Sequence, residues 1–271
     1  MTRKIAGVMS RVATVRFVDY PSSVAQALDL IDAPARLPQH GLIIIKPNLT
    51  NSSPPPVTTS VEAAEAIYRY CRAHTKARIA IGEGCGSGRT ADVFAALGYT
   101  RLAAKYGLEL IDFNEAESVP LKDSAALQLR EFHMPRIVQR AFLISLPVLK
   151  DHSFTTTTIA MKNMFGLAPG RFYAGGWNKA KLHHPSTDNS VVDVCRYKRP
   201  DLSVVDASVA LTGMHLAGKK KKLGLILAGF DPVAVDTIGT QLLGHNPQEL
   251  PYLTLSHGFL GDMDNIETVR V

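Results

Sequence analysis

The sequence predicts an α/β fold, a mostly parallel sheet with flanking helices and a site at the carboxyl ends of the strands. Short runs of continuous rather than alternating hydrophobicity recur along the chain, the pattern of strands buried on both faces. Segments with helical spacing lie between them, opened by capping residues and closed by glycine. The alternation of the two implies βα units.

In chain order, KIAGVMSR and ATVRFVDY near the N-terminus are placed to add further or edge strands. GLIIIKPN (41–48) is the first strongly buried strand. SVEAAEAIYRYCRAH follows as a helix with Ser60 as N-cap and Ala63, Ala66, Ile67 and Tyr70 along one face. ARIAIGEG (77–84) is a second strand, and TADVFAALG a helix capped by Thr90 and stopped at Gly98. LELIDFN (108–114), AFLISLP (141–147), LSVVDAS (202–208) and KLGLILAGFD (222–231) complete the strands. The last clear helix has Asp231 as N-cap, Pro232 in its first position and Gly244 past its end. Residues 166–200 hold Gly, Pro and His with little periodicity, which predicts an irregular loop or lid. The chain reads as a single α/β domain over 1–271; two subdomains, if present, would divide near 115–140.

With 271 residues, 46% hydrophobic content and a mean hydropathy of +0.04, the chain can bury a substantial core. It has neither an apolar stretch of membrane-spanning length nor a signal-peptide core at its start, so a soluble, cytoplasmic protein is expected. The formal charge of +6 includes one dense basic run, Lys219 to Lys222, read as a solvated turn; without aromatic residues interleaved, nucleic-acid binding is disfavoured. Cys71, Cys85 and Cys195 are too few and too scattered for a disulfide framework or a CxxC motif.

Polar residues at strand ends are the candidates for function. Lys46 and Asn48 follow LIII, offering a fixed cation and a group that both donates and accepts; a solvent-directed lysine and a turn asparagine explain them equally. Glu83 sits in GEGCGSGRT, a glycine-rich turn whose N–H groups could receive an anion, although it matches no Walker pattern. Lys150 and His152 end a third strand, with Asp151 between them. The four threonines that follow are poor helix formers and suit a helix start, where Thr155, Thr158 and Lys162 would share one stripe beside Ile159 and Asn163. GRFYAGGWNKAKLHHP brings Arg171, Lys179, Lys181, His183 and His184 and could close over an anion. Asp206, Asp231 and Asp236 are candidate ligands for Mg²⁺ or another divalent metal, with N-capping the competing role of Asp231.

Together, IIIKPNL, GEGCG, LGYTRLAAKYGLELIDFNE, ISLPVLKDHSFTTTTIAMKNMFGLAPG, RPDLSVVDA and KLGLILAGFDPVAVDTIGTQLLG resemble the family named domain of unknown function 362. The resemblance runs in consistent order from about residue 40 to 258. It implies a shared site at Lys46, Asn48, Glu83, Lys150, His152, Lys162, Asn163, His183, Asp206, Asp231 and Asp236, without a named reaction. The resemblance also implies that many relatives carry an appended ferredoxin-like iron–sulfur module, which is not expected in this sequence; its three cysteines cannot supply the four thiolates of a cluster.

Two functions follow. The first is an enzyme binding an anionic, phosphorylated or carboxylated small molecule in a lysine-lined cleft. Lys46, Lys150 and Lys162 would neutralise charge there, and His152 or Glu83 would move protons. The second is an accessory protein that uses the cluster of a redox partner. A homo-oligomer is compatible with either.

Overall fold

Three consecutive isoleucines set the layering. Side chains alternate across a strand, so Ile43 and Ile45 enter one core while Ile44 enters the core on the opposite face. The pattern recurs at Val204 and Val205 and at Ile226 and Leu227, which explains why these strands are apolar without alternation.

The computed structural model describes residues 9–271. In chain order the elements are β1 (Ser10–Arg16), α1 (Tyr20–Leu30), α2 (Ala33–Arg36), β2 (Leu42–Pro47), α3 (Val61–His74), β3 (Arg78–Glu83) and α4 (Thr90–Ala96). Next come α5 (Tyr99–Tyr106), β4 (Glu109–Asp112), β5 (Ser118–Lys122), β6 (Glu131–Pro135), β7 (Phe142–Leu146), β8 (Val148–His152), β9 (Thr156–Thr158) and α6 (Gly170–Tyr173). The chain closes with α7 (Thr187–Tyr197), β10 (Leu202–Thr212), β11 (Lys219–Gly229), α8 (Pro232–Leu243), α9 (Pro251–Ser256) and β12 (Ile266–Arg270). The main sheet has the order β12-β1-β11-β10-β7-β2-β3-β4. Strands β10, β7, β2, β3 and β4 are mutually parallel, whereas β11 runs antiparallel between β10 and β1. The sheet is thus mostly parallel with flanking helices. Helices α1 and α3 cover one face, and α7 lies in the core on the other. No helix among the described residues is long and apolar enough to cross a membrane.

After Pro147 the chain continues from β7 into β8, which pairs with the extension of β10 and folds back as the β8–β9 hairpin. This projects Lys150 and His152 past the carboxyl end of β2. No helix begins at Thr155. Three β-branched residues instead form β9, with Thr156 at the turn at φ +62° and Thr155 Oγ1 donating to the Thr157 carbonyl. The threonines satisfy an extended backbone, which their branched Cβ favours over a helix.

Other expectations are refined in the same way. ATVRFVDY contributes to β1, which lies inside the sheet between β12 and β11; residues 4–8 of KIAGVMSR lie outside the described residues. Lys219–Lys222 are exposed but begin β11 rather than forming a turn. Thr90 is the first residue of α4 rather than its cap, its hydroxyl accepting from Asn114 Nδ2 at 3.2 Å. The span 166–200 is more ordered than its composition implied, because Ser186 caps α7 and the helix buries Val191, Val192, Val194 and Cys195. Residues 118–135 form the separate β5–β6 hairpin, whose Phe132 and Met134 join the core that holds Ile44.

Helix α8 starts as its sequence indicates. Asp231 Oδ1 accepts from the N–H groups of Val233 (2.9 Å) and Ala234 (3.1 Å), and Oδ2 accepts from Ser10 Oγ (2.6 Å) and Asp262 N (2.9 Å). One carboxylate therefore joins the helix start, β1 and the segment before β12. Asp231→Ala is expected to lower stability in urea denaturation by about 2 kcal/mol, and Asp231→Asn by less.

Candidate functional site

Lys46 lies last but one in β2 and Glu83 last in β3, and both are buried. The strands run parallel in register, so the two side chains meet beyond their ends: Lys46 Nζ is 2.8 Å from Glu83 Oε1 and 2.9 Å from Oε2. Glu83 also accepts from Leu49 N at 3.1 Å and Gly84 N at 2.8 Å, which fastens the loops after both strands. Asn163 completes the lock. Its Oδ1 accepts from Lys46 Nζ (3.2 Å) and Asn48 Nδ2 (3.1 Å), and its Nδ2 donates to the Lys46 carbonyl and Ser145 Oγ. A side chain on Gly166 would overlap Glu83 Oε1 and lie 2.5 Å from Lys46 Nζ, so only glycine allows this close approach.

These residues form one wall of a 340 Å³ cavity. Lys150 enters from β8, only 1% exposed, its Nζ donating to Asn48 Oδ1 (2.6 Å) and the Val57 carbonyl (2.8 Å). Lys162 opens a 3₁₀ turn and is 8% exposed; among the described residues it has no hydrogen-bond acceptor, and its ammonium lies 3.8 Å over the Phe165 ring. Lys179 donates to Asn114 Oδ1 at 2.6 Å and to the Ala168 carbonyl. Four lysines thus line a cavity whose one lining carboxylate, among the described residues, is Glu83.

Burial disfavours the charged form of each amine. It lowers Lys150 to about 7 against the pull of Glu83, and lowers Lys162 to about 7 with help from the neighbouring charges of Lys150 and Lys46. Lys179 falls to about 8 for the same leading reason. Lys46 is also lowered by burial, partly offset by Glu83. Three histidines share the cavity. His152 stacks on His215 with centroids 4.2 Å apart and lies 6.1 Å from His183. Burial first, then the lysine charges, holds His183 down to about 3 and His215 to about 4, and lowers His152 further. All three are neutral near pH 7. His152 Nδ1 accepts from Phe154 N at 3.1 Å, so its proton is on Nε2.

Of the residues singled out in the sequence, Lys46, Asn48, Glu83, Lys150, His152, Thr158, Lys162, Asn163, Lys179 and His183 therefore line one cavity. Thr155 does not; it is held in the hairpin turn. The three aspartates are not brought together either. Asp206 accepts from Tyr20 Oη and Ser208, Asp231 caps α8, and Asp236 accepts from Ala160 N, Met161 N and Tyr252 Oη. Each carboxylate completes backbone or hydroxyl groups away from the cavity, which is why an isolated buried aspartate reads like a ligand in sequence. Cys71 and Cys195 are packed in opposite cores, and Cys85 sits in the glycine-rich turn. In that turn the N–H groups of Gly84, Cys85 and Ser87 already donate to Glu83, Thr90 and Thr50.

Of the cationic segment around residues 171–184, Lys179 and His183 turn inward, while Arg171 and Lys181 donate to carbonyls at the surface. His215 lies at the β10–β11 turn outside every segment that the sequence marks, and Phe154, although inside the KDHSFTTTT stretch, is masked by the polar residues on either side. Asn114 stood legibly at the end of LELIDFN.

The family model described as domain of unknown function (DUF362) matches residues 43–241. The chain belongs to this family. The match takes in Lys46, Glu83, Lys150, Lys162 and Lys179 but ends before α9 and β12. A thylakoid-associated protein of Synechocystis sp. is 26% identical over 218 residues, covering 77% of this DUF362 chain and 65% of its own length. The lactate racemase apoprotein from Thermoanaerobacterium thermosaccharolyticum superposes with a TM-score of 0.50 at 13% identity, over 88% of this chain and 57% of that one. At that identity the likeness is one of fold. The chain spans about two thirds of the first protein and just over half of the second.

Two outcomes follow from the geometry. Gly166→Ala is expected to cost about 1–3 kcal/mol in urea denaturation, because the Lys46–Glu83 pair cannot retreat. Between about pH 7, where Lys150 and Lys162 lose their protons in the fold, and the ordinary lysine value of 10.5, the unfolded chain binds more protons than the folded one. Stability of the ligand-free protein should therefore rise with pH across that window. Urea midpoints at pH 7, 8 and 9 check the sign.

Proposed function

We propose that this DUF362 protein is an enzyme acting on an anionic, carboxylated or phosphorylated small molecule bound at the ends of β2, β3 and β8. The observation that carries the reading is the imbalance of four buried lysines against one carboxylate on a single cavity. Glu83 is fully engaged by Lys46 and two backbone N–H groups, so Lys150, Lys162 and Lys179 have no counter-charge of their own. A bound anion supplies it, and in so doing restores the protonated state of those amines. Such pre-placed cations also stabilise negative charge as it develops in a reaction.

In this reading Lys46 and Glu83 hold the architecture and do not touch the reacting atoms. Lys150, fixed by Asn48 and Val57, orients the anionic group. Lys162 is free of protein acceptors among the described residues and lowered to about 7, so it exchanges a proton near neutral pH, and His152 offers its Nε2–H to the same cavity.

Calorimetric titration with inorganic phosphate and with acetate tests the proposal. Lys150→Ala and Lys162→Ala should each weaken binding at least about tenfold, the loss expected for a charge-assisted hydrogen bond, while Lys181→Ala at the surface should not. At pH 8, above the lowered values of Lys150 and Lys162, binding should take up protons, read as a dependence of the measured heat on buffer ionisation enthalpy. Unchanged affinity in both cavity variants would overturn the proposal.

A further inference from the structure

The cavity lining holds two unlike sets of side chains, which meet where Lys162 lies over the Phe165 ring. One is the lysine set already described. The other is built from rings: His183 lies with centroids 4.9 Å from Phe154, 5.5 Å from Phe165 and 5.8 Å from Trp177, and the His152–His215 stack extends the surface. Phe154 and Trp177 are 53% and 45% exposed although both line the cavity, and Leu216 beside them is likewise exposed. They belong to three separate segments: the β8–β9 turn, the segment between α6 and α7, and the β10–β11 turn. Large side chains from three loops converging at one mouth, with apolar faces open, are the arrangement of a binding surface rather than of a core.

Size and charge narrow the occupant. A lone phosphate or carboxylate fills only a fraction of 340 Å³ and leaves the space beside Phe154, His183 and Trp177 to the rest of a larger ligand. The histidines of the ring wall are uncharged near neutral pH, so this wall offers π faces and little to attract a second anionic group. We propose that the ligand is a planar aromatic or conjugated acid, its carboxylate or phosphate on Lys150 and Lys162 and its ring against Phe154, His183 and Trp177. This rests on the anion-binding reading and adds the chemical class of the rest of the molecule. Stacking on an aromatic wall favours flat ligands through both area and ring geometry, whereas an aliphatic acid of similar length gains the area alone.

Trp177 is the only tryptophan of the chain, so its fluorescence reports on this wall directly. The probes are benzoate and phenyl phosphate, set against acetate, hexanoate and inorganic phosphate, by Trp177 fluorescence and by calorimetry. We expect each aromatic acid to bind at least about tenfold more tightly than its ring-free counterpart and to shift Trp177 emission. The better of the two identifies the acidic group. Phe154→Ala and Trp177→Leu, both at exposed positions, should reduce the preference for the aromatic acids by calorimetry while leaving inorganic phosphate binding unchanged. Aromatic acids that bind no more tightly than hexanoate and phosphate would overturn the proposal and leave the anion site standing. No binding by any of the acids would overturn both.

Discussion

The ion pair between Lys46 and Glu83 is the contact on which the site depends. Neither side chain reaches solvent, and a buried pair of this kind is held less by its own attraction than by the hydrogen bonds that complete it. Here those bonds come from Leu49, Gly84, Pro47 and Asn163, four positions on three segments that are distant in sequence. Removing either partner would leave a bare charge in the interior. The pair consequently fixes the relative placement of the loops after β2 and β3 and of the 3₁₀ turn that carries Lys162.

Once Glu83 is committed to Lys46, the cavity is left with a surplus of positive charge. The fold creates that surplus by topology. Parallel strands deliver their following residues to one edge, and the continuation of β7 into β8 carries Lys150 to the same edge. Desolvation then lowers Lys150, Lys162 and Lys179 towards neutrality, a condition that costs stability in the free protein and that the proposed anion would relieve. Stability and binding are two faces of the same charge imbalance.

Much of this arrangement is legible in the sequence because it is local. Continuous runs such as LIII and RIAI between helix-patterned segments mark strands covered on both sides, and the polar residues just past such runs, Lys46, Glu83 and Lys150 among them, fall at the carboxyl ends of the strands. Asp231, Pro232 and Gly244 bracket α8 through capping chemistry that acts within a few residues. What the sequence does not show is non-local. The threonines of β9 look like a cap until the partner strand β8 is known. Asp206 and Asp236 look like ligands until the hydroxyls and N–H groups that occupy them are seen. His215 and Phe154 reach the cavity only because two hairpins fold over it, and no local pattern of polar residues or spacing picks out either ring. Helix α7 is an intermediate case: Ser186 and the apolar run after Thr187 mark it, but the surrounding Gly, Pro and His obscure the signal.

The likeness to the lactate racemase apoprotein is one of fold alone, so the chemistry must come from the chain's own residues. In the proposed reading of this DUF362 chain those are the cavity lysines and the aromatic rings beside them. The most direct test of the buried charge surplus is a crystal structure grown with selenate, a tetrahedral dianion whose position is read from anomalous scattering. A peak within hydrogen-bond distance of Lys150 Nζ and Lys162 Nζ is the expected result. Peaks confined to surface cations such as Lys219–Lys222, with none in the cavity, would contradict the account.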